Sequence, residues 1–277
     1  MENTKRGIST FLQPRNGIQY VVSSEIREAL KPIVFWDAGN FTRNDNGFQI
    51  GFHPHSGIGI ITYFHGTDLH HEDSGMNDGI IHDGGAQWIR AGGGVWHQEA
   101  YRPKHDHNEG DWTGSIHQLW LQLPPEFEEA EVEYANLSKE EIPSIENVKV
   151  LVGEYKGVKG KMNVPVNMTY LDVNLKKGQK FEFNTPSQQS SGFVFKRKGS
   201  LKIDETSMQK DSMAVLDQNE GLISIEAQMD SEFVLVIAEP SSFPIISSGS
   251  QIHTDIDALE RSADRIKAIG QELKARE

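Results

Sequence analysis

The second half of the chain is a succession of short apolar stretches: "VKVLVGEY", "MTYLDVNL", "KFEFN", "GFVFKRKG", "SLKI", "MAVLD", "LISIEA" and "EFVLVIAEP". Turn residues separate them, and each is shorter than the helices that usually build a core. Strands at this spacing must pair with neighbours and fold onto one another, which leaves a sandwich or a barrel. The first half follows the same rule. "GIIHDGGAQWIRAGGGVWHQE" alternates apolar pieces with glycine clusters. "SIHQLWLQL" alternates residue by residue, with His117, Leu119, Leu121 and Leu123 on one face and Gln118, Trp120 and Gln122 on the other. Between the halves, "PPEFEEAEVEYANLSKEEIPSIEN" is polar, begins with prolines and reads as a connector, with "EFEEAEVE" as a solvated face.

With 277 residues the chain can bury two cores. We expect an all-β fold with one barrel over 1–135, a second over 136–250 and a helical tail over 251–277. In the tail, Ile256, Leu259, Ala263, Ile266, Ile269 and Leu273 recur at spacings of three and four, one apolar stripe of an amphipathic helix. Thr254 or Asp255 would cap it.

Composition narrows the function. There is no cysteine, so disulfides, thiolate metal sites and cysteine nucleophiles are excluded. Acidic side chains outnumber basic ones 40 to 27, which disfavours a broad nucleic-acid surface. The dense basic run "KRK" at 196–198 reads as a solvated loop. No stretch approaches the roughly 18 apolar residues of a membrane span, and the start lacks a secretory signal, so a cytoplasmic protein is expected.

Ten of the eleven histidines lie between 53 and 117, which places any metal in the first barrel. His53 and His55 flank Pro54 in "GFHPHSGIGIITYF", and residues two apart on a strand point the same way. "VWHQEAY" repeats the device with His97 and Glu99. Three imidazoles and one carboxylate suit Fe(II), Mn(II), Ni(II), Cu(II) or Zn(II), and ligand type does not choose among them. On an octahedral metal they would leave positions open for water, substrate or dioxygen. The glycines of "AGGGVW" let the backbone turn tightly and pass close to such a site. No His-Glu-x-x-His, Walker loop or Gly-x-Ser-x-Gly is present.

With both pairs in place, the chain resembles the pirin family of the cupin superfamily. "HPHSGIGIITY", "HEDSG" at 71–75, "QWIRAGGGVWHQE" and "HQLWLQLP" carry the resemblance, with "RGI" and the closing "EP" in weaker agreement. It implies two tandem cupin barrels and one metal, usually iron, held in the N-terminal barrel by His53, His55, His97 and Glu99. It also implies a quercetin 2,3-dioxygenase acting on a flavonol or similar enol, with Glu99 as the base for the substrate hydroxyl. In some lineages it implies instead an iron-dependent co-regulator that binds a protein partner. A purely structural metal is the third reading.

The chain departs from the family at several points. Gly59 stands where Glu is usual, on what we expect to be the ligand face, so a polar pocket group would be lost. Ser56 replaces Arg, "DGG" at 83–85 replaces Pro-Gly-Asp, and "PIVFWDAGNF" is a reduced form of the stretch near residue 35. Of the other histidines, His65 is expected at the pocket mouth. His70 and His71 are expected to hydrogen-bond locally in a turn. His117 is read as buried and satisfied by backbone, or else as facing the barrel interior as partner to a ligand. His105 and His107 are read as surface loop residues.

Overall fold

The structure, a computed structural model, describes residues 5–209 and 212–276. It divides into two compact units, one built from the chain up to Ile33 with Ile142–Ser241, the other from Val34–Glu141 with Ser242 onward. The boundaries 1–135, 136–250 and 251–277 therefore do not follow the compact units. Strand pairing explains part of the difference. Residues Ile8–Leu12 pair antiparallel with Met213–Leu216, so the amino-terminal segment completes the barrel formed by the second half of the chain.

That unit holds a seven-stranded and a four-stranded sheet. Between them lies an apolar core that includes Phe181, Phe183, Ile225, Phe233 and Leu235. The "KRK" run is not a loop, since it closes the strand Ser191–Lys198. The Arg197 side chain is 8% exposed there and ion-paired with Asp172 and Glu232.

The other unit carries the histidines. Its strands are β1 (Ile33–Arg43), β2 (Phe48–His55), β3 (Ile58–His65), β4 (Asp68–Asp73), β5 (Asp78–Ile81), β6 (Ala86–Arg90), β7 (Val95–Arg102), β8 (Trp112–Gln122), β9 (Glu133–Leu137), β10 (Ile246–Ser248) and β11 (Gln251–His253), followed by helix α1 (Ile256–Arg276). They form a five-stranded sheet in the order β9-β6-β3-β8-β1 and a four-stranded sheet in the order β2-β7-β4-β5. Ile58, Ile60, Ile89 and Val95 pack together with Trp120 and Tyr134. Part of the presumed connector is thus strand β9, paired along its length with β6. None of the helices among the described residues is long and apolar enough to cross a membrane.

Helix α1 packs on this barrel through the acidic run. Asp255 caps it, its Oδ1 accepting from the backbone N–H of Ala258 at 2.8 Å. Leu259, Ser262 and Ile266 are buried, whereas Ile256 and Ala263 face solvent, so the buried stripe is narrower than the sequence suggests. Arg261 bonds both oxygens of Glu129, and Arg265 reaches Glu131. Glu128 is only 2% exposed and accepts from the backbone and hydroxyl of Thr254 at 2.6 and 2.8 Å. The run is a docking strip for the helix rather than a solvated face. Ser56 joins the same network, 2.9 Å from Nε2 of the buried His253. The small side chain in place of the family's Arg leaves room for that histidine. At "AGGGVW", Cβ atoms on Gly92, Gly93 and Gly94 would meet Ala130, Arg265 and Ile266, so these glycines admit the helix and its landing strip rather than a ligand.

Candidate metal centre

Strands β2 and β7 lie side by side, with His53 directly opposite His97. A bulge in β2 between Ile50 and His53 adds one residue, which brings the His-Pro-His segment into register with its partner. His53, His55 and His97 converge, each offering a ring nitrogen within 4.8 Å of the others. Their ring centroids are 4.4 to 5.0 Å apart. His55 and His97 are buried and His53 is half-buried, so the approach to the cluster runs past His53.

The hydrogen bonds leave the inward nitrogens free. His53 Nδ1 sits 2.8 Å from the carbonyl of Gly51, and His55 Nδ1 3.4 Å from that of Ser250. A carbonyl only accepts, so each Nδ1 carries the proton and each Nε2 presents a lone pair. Both nitrogens of His97 are buried without a hydrogen-bond partner, as is Glu99 Oε1. Buried polar atoms are rarely left so, and here three belong to one cluster of metal-ligand residues and its neighbour. Burial and the neighbouring His53 push His55 down to about 3, and burial with the adjacent imidazoles lowers His97 well below its usual range. The His55 and His97 rings are therefore neutral at pH 7, the state in which imidazole binds a metal. The cluster is consistent with a metal site, and the donor set fits a divalent transition metal.

Glu99 lies on β7 two residues from His97, fully buried, but outside the group of three whose atoms mutually approach. Burial raises its carboxyl. Its Oε2 accepts from Tyr101 Oη and Gln118 Nε2, both at 3.4 Å, and these long bonds hold it loosely. Gln118 has only one orientation available. Trp120 Nε1 donates to its Oε1 at 3.0 Å, so its amide N–H groups must face Glu99 and Thr62. Trp120 in turn stacks on Phe35 and stands edge-on to His55, an apolar wall beside the triad.

Other groups around the cluster were not evident from sequence. Asp37 comes from the divergent "PIVFWDAGNF" stretch, and burial with the nearby Glu99 pushes it up to about 7. Burial raises both carboxyls, and the charge of Glu99 adds to the rise at Asp37. His71 is not in a turn. It lies on β4 opposite Glu99, is buried, and sits 5.5 Å from the His97 ring, with Nε2 3.2 Å from Asp73. The alternating pattern Leu69, His71, Asp73 could have shown it.

The expectations for His65 and Gly59 fail on strand parity, as does the ligand-partner alternative for His117, which is buried as its plainer reading had it. Thr62 and Gln118 face Glu99, so their odd-numbered neighbours on β3 and β8 point the other way. His117 stacks on Trp36, and His65 lies against Tyr63, both on the face turned from the triad. Gly59 is on that face too. A Cβ there would overlap the Trp88 indole, so the missing Glu takes nothing from the ligand side. His107 is a surface residue bonded to Gly110.

A consequence concerns stability in the metal-free state. His55 binds a proton only when unfolded over the range between about 6.5 and 3, so lowering the pH through that range favours unfolding. By pH 5 the loss is about 2 kcal/mol from His55, with His97 acting in the same direction. Asp37 and Glu99, whose carboxyls are raised by burial, act in the opposite direction over the same range, so the His55 contribution is read as a difference between the parent and His55→Ala. Chemical denaturation of both chelator-treated proteins at pH 7 and pH 5 measures it, and the same pH dependence in the two would contradict the burial argument for His55.

The family profile described as Pirin matches residues 16–121, and that described as Pirin C-terminal cupin domain matches residues 170–266. Pirin of Homo sapiens is 30% identical over 210 residues, 71% of this chain and 69% of that protein. A protein of Thermoplasma acidophilum named "Putative quercetin 2,3-dioxygenase" is 26% identical over 241 residues, 80% of this chain and 91% of its own length. Among solved structures, quercetin 2,3-dioxygenase from Acinetobacter baumannii has a TM-score of 0.83 at 23% identity, covering 94% of this chain and 96% of that one. Bacterial pirin YhhW from Escherichia coli, in complex with nickel(II), has a TM-score of 0.63 at 19% identity, covering 84% of this chain and 100% of that one.

Proposed function

This chain belongs to the pirin family, a bicupin, and from that premise we propose that it is a metal-dependent dioxygenase of the quercetin 2,3-dioxygenase type, acting on a flavonol or similar aromatic enol. His53, His55, His97 and Glu99 would hold one divalent metal, Fe(II) first among Fe, Mn, Ni, Cu and Zn. The observation that carries the reading is the set of buried, unpartnered donor atoms on His97 and Glu99, beside two imidazoles whose Nδ1 atoms are held by carbonyls so that each Nε2 carries a lone pair. When bound, the metal supplies Lewis acidity toward an enol oxygen and one-electron chemistry with dioxygen.

The chain's own residues do the rest. Trp120 and Phe35 form a flat apolar wall that suits an aromatic ring and excludes water. Glu99, loosely held, can turn to accept the substrate hydroxyl proton. Asp37, poised near neutrality, is the adjacent group to relay it. Gln118 steadies the carboxylate before transfer, because its amide can only donate to it.

The test is anaerobic loading with Fe(II), Mn(II), Ni(II) or Cu(II), then quercetin depletion under air. Turnover with at least one metal is expected, and Glu99→Gln should lower kcat by about 10²–10⁴-fold. No turnover with any of the four metals would overturn the enzymatic reading.

A further inference from the structure

Away from the triad, three side chains from three separate segments meet on the same barrel. Asp68 opens β4, His82 follows β5, and His105 lies in the loop between β7 and β8. Each offers one ligand atom within 4.8 Å of the others. Asp68 is 2% exposed, whereas the two imidazoles reach it from solvent. Both rings direct Nδ1 at the same carboxylate oxygen, His82 at 2.9 Å and His105 at 3.6 Å. These separations bracket the roughly 3.3 Å between ligand atoms on a tetrahedral zinc with bonds of about 2.0–2.1 Å.

The carboxylate is already oriented. Its Oδ1 accepts from the backbone N–H of Asp83 at 2.9 Å and its Oδ2 from that of His105 at 3.0 Å. Asp83 is itself fixed by the backbone N–H of Gly66 at 2.5 Å. Such outer contacts are what position a metal-binding carboxylate. Two nitrogen donors favour a transition metal over Mg(II) or Ca(II). A surface cavity of about 550 Å³, lined by His82, His105 and Asn136 among others, leaves room for a fourth ligand such as water. Asp68 lies on the opposite face of β4 from His71, so this cluster is distinct from the triad.

We propose that Asp68, His82 and His105 form a second metal site, for Zn(II) or a metal of similar preference, with three protein ligands and one open position. Occupancy would pin the loop that carries His105 to the hairpin that carries His82.

The test uses tag-free, full-length protein stripped with chelator. Zn(II) retained after dialysis is counted by elemental analysis, and Co(II) is titrated by its visible spectrum. His82→Ala with His105→Ala should hold one equivalent fewer than the wild type and lose the intense bands of four-coordinate Co(II). His53→Ala with His97→Ala should keep those bands, which separates this site from the triad. Both imidazoles are exposed, so the first double variant should fold, and equal thermal unfolding without metal checks it. Unchanged stoichiometry and spectrum in that variant would overturn the proposal, whatever the triad binds. As a second readout, Zn(II) should slow proteolysis in the loop after Arg102 in the wild type but not in the variant, and equal cleavage with and without metal in the wild type would count against it.

Discussion

His97→Ala is expected to abolish metal binding at the triad and, with it, turnover, while the metal-free barrel stays folded. His97 forms a triangle with the other two imidazoles, its ring centroid 4.4 Å from that of His53 and 5.0 Å from that of His55. Neither of its nitrogens has a hydrogen-bond partner. Without metal the ring contributes packing but no polar bond, and its removal also removes two buried unsatisfied atoms. The cavity cost and this relief oppose each other, so the metal-free variant should lie within about 2 kcal/mol of the parent. Metal affinity should fall by about 10³-fold or more, since groups that merely support a ligand are worth about 10–100-fold. Elemental analysis in a His82→Ala/His105→Ala background reads the triad alone. Thermal unfolding with and without Fe(II) gives a second reading, because a ligand that binds only the native state raises Tm. A variant that still holds metal at the triad and still turns over would show that His97 is not a ligand.

Much of this arrangement was legible in the residue order, for a physical reason. The two-residue repeat of a strand fixes which side chains share a face, so His53 with His55 and His97 with Glu99 could be paired before any fold was known. The family resemblance then supplied the convergence of the two pairs, which alternation alone does not give. Parity between strands was less legible, because it depends on register. Nothing local to β3 or β8 says which of its two faces turns toward β2 and β7, and so the expectations for Gly59 and His65 put them on the wrong side. Asp37 and His71 escaped notice because their role arises from burial beside Glu99 and His97, contacts remote in sequence. The acidic run looked solvated because its partners, Arg261, Arg265 and Thr254, lie more than a hundred residues away. The three ligands of the proposed second site are likewise scattered over Asp68, His82 and His105, with no spacing that a motif would catch.

Restoring the family's residue by Gly59→Glu is expected to destabilise the barrel severely without touching the triad. Gly59 packs on the Trp88 indole, and any Cβ there overlaps the ring. Trp88 is 1% exposed and its neighbour Ile61 is fully buried, so the ring has little room to move. Gly59→Ala isolates the overlap and should cost about 1–3 kcal/mol. The carboxylate adds the desolvation of a charge. Arg90, directly opposite Gly59 on β6, is the nearest cation in register, but it already pairs with Glu133 at 2.7 Å and bonds the carbonyl of Glu131. Gly59→Glu should therefore cost about 3 kcal/mol or more, a large share of the stability of a typical domain. Trp88→Ala in the same chain should recover part of the loss, because it removes the overlapping ring, whereas alone it should destabilise by leaving a cavity. Urea denaturation of the four proteins, the two single variants at 59, Trp88→Ala and the Gly59→Glu/Trp88→Ala pair, measures this coupling. Metal content at the triad should be the same in every variant that folds, since residue 59 and the histidines lie on opposite faces. A Gly59→Glu protein as stable as its parent, with altered metal affinity, would place residue 59 on the histidine side and reverse the assignment of faces.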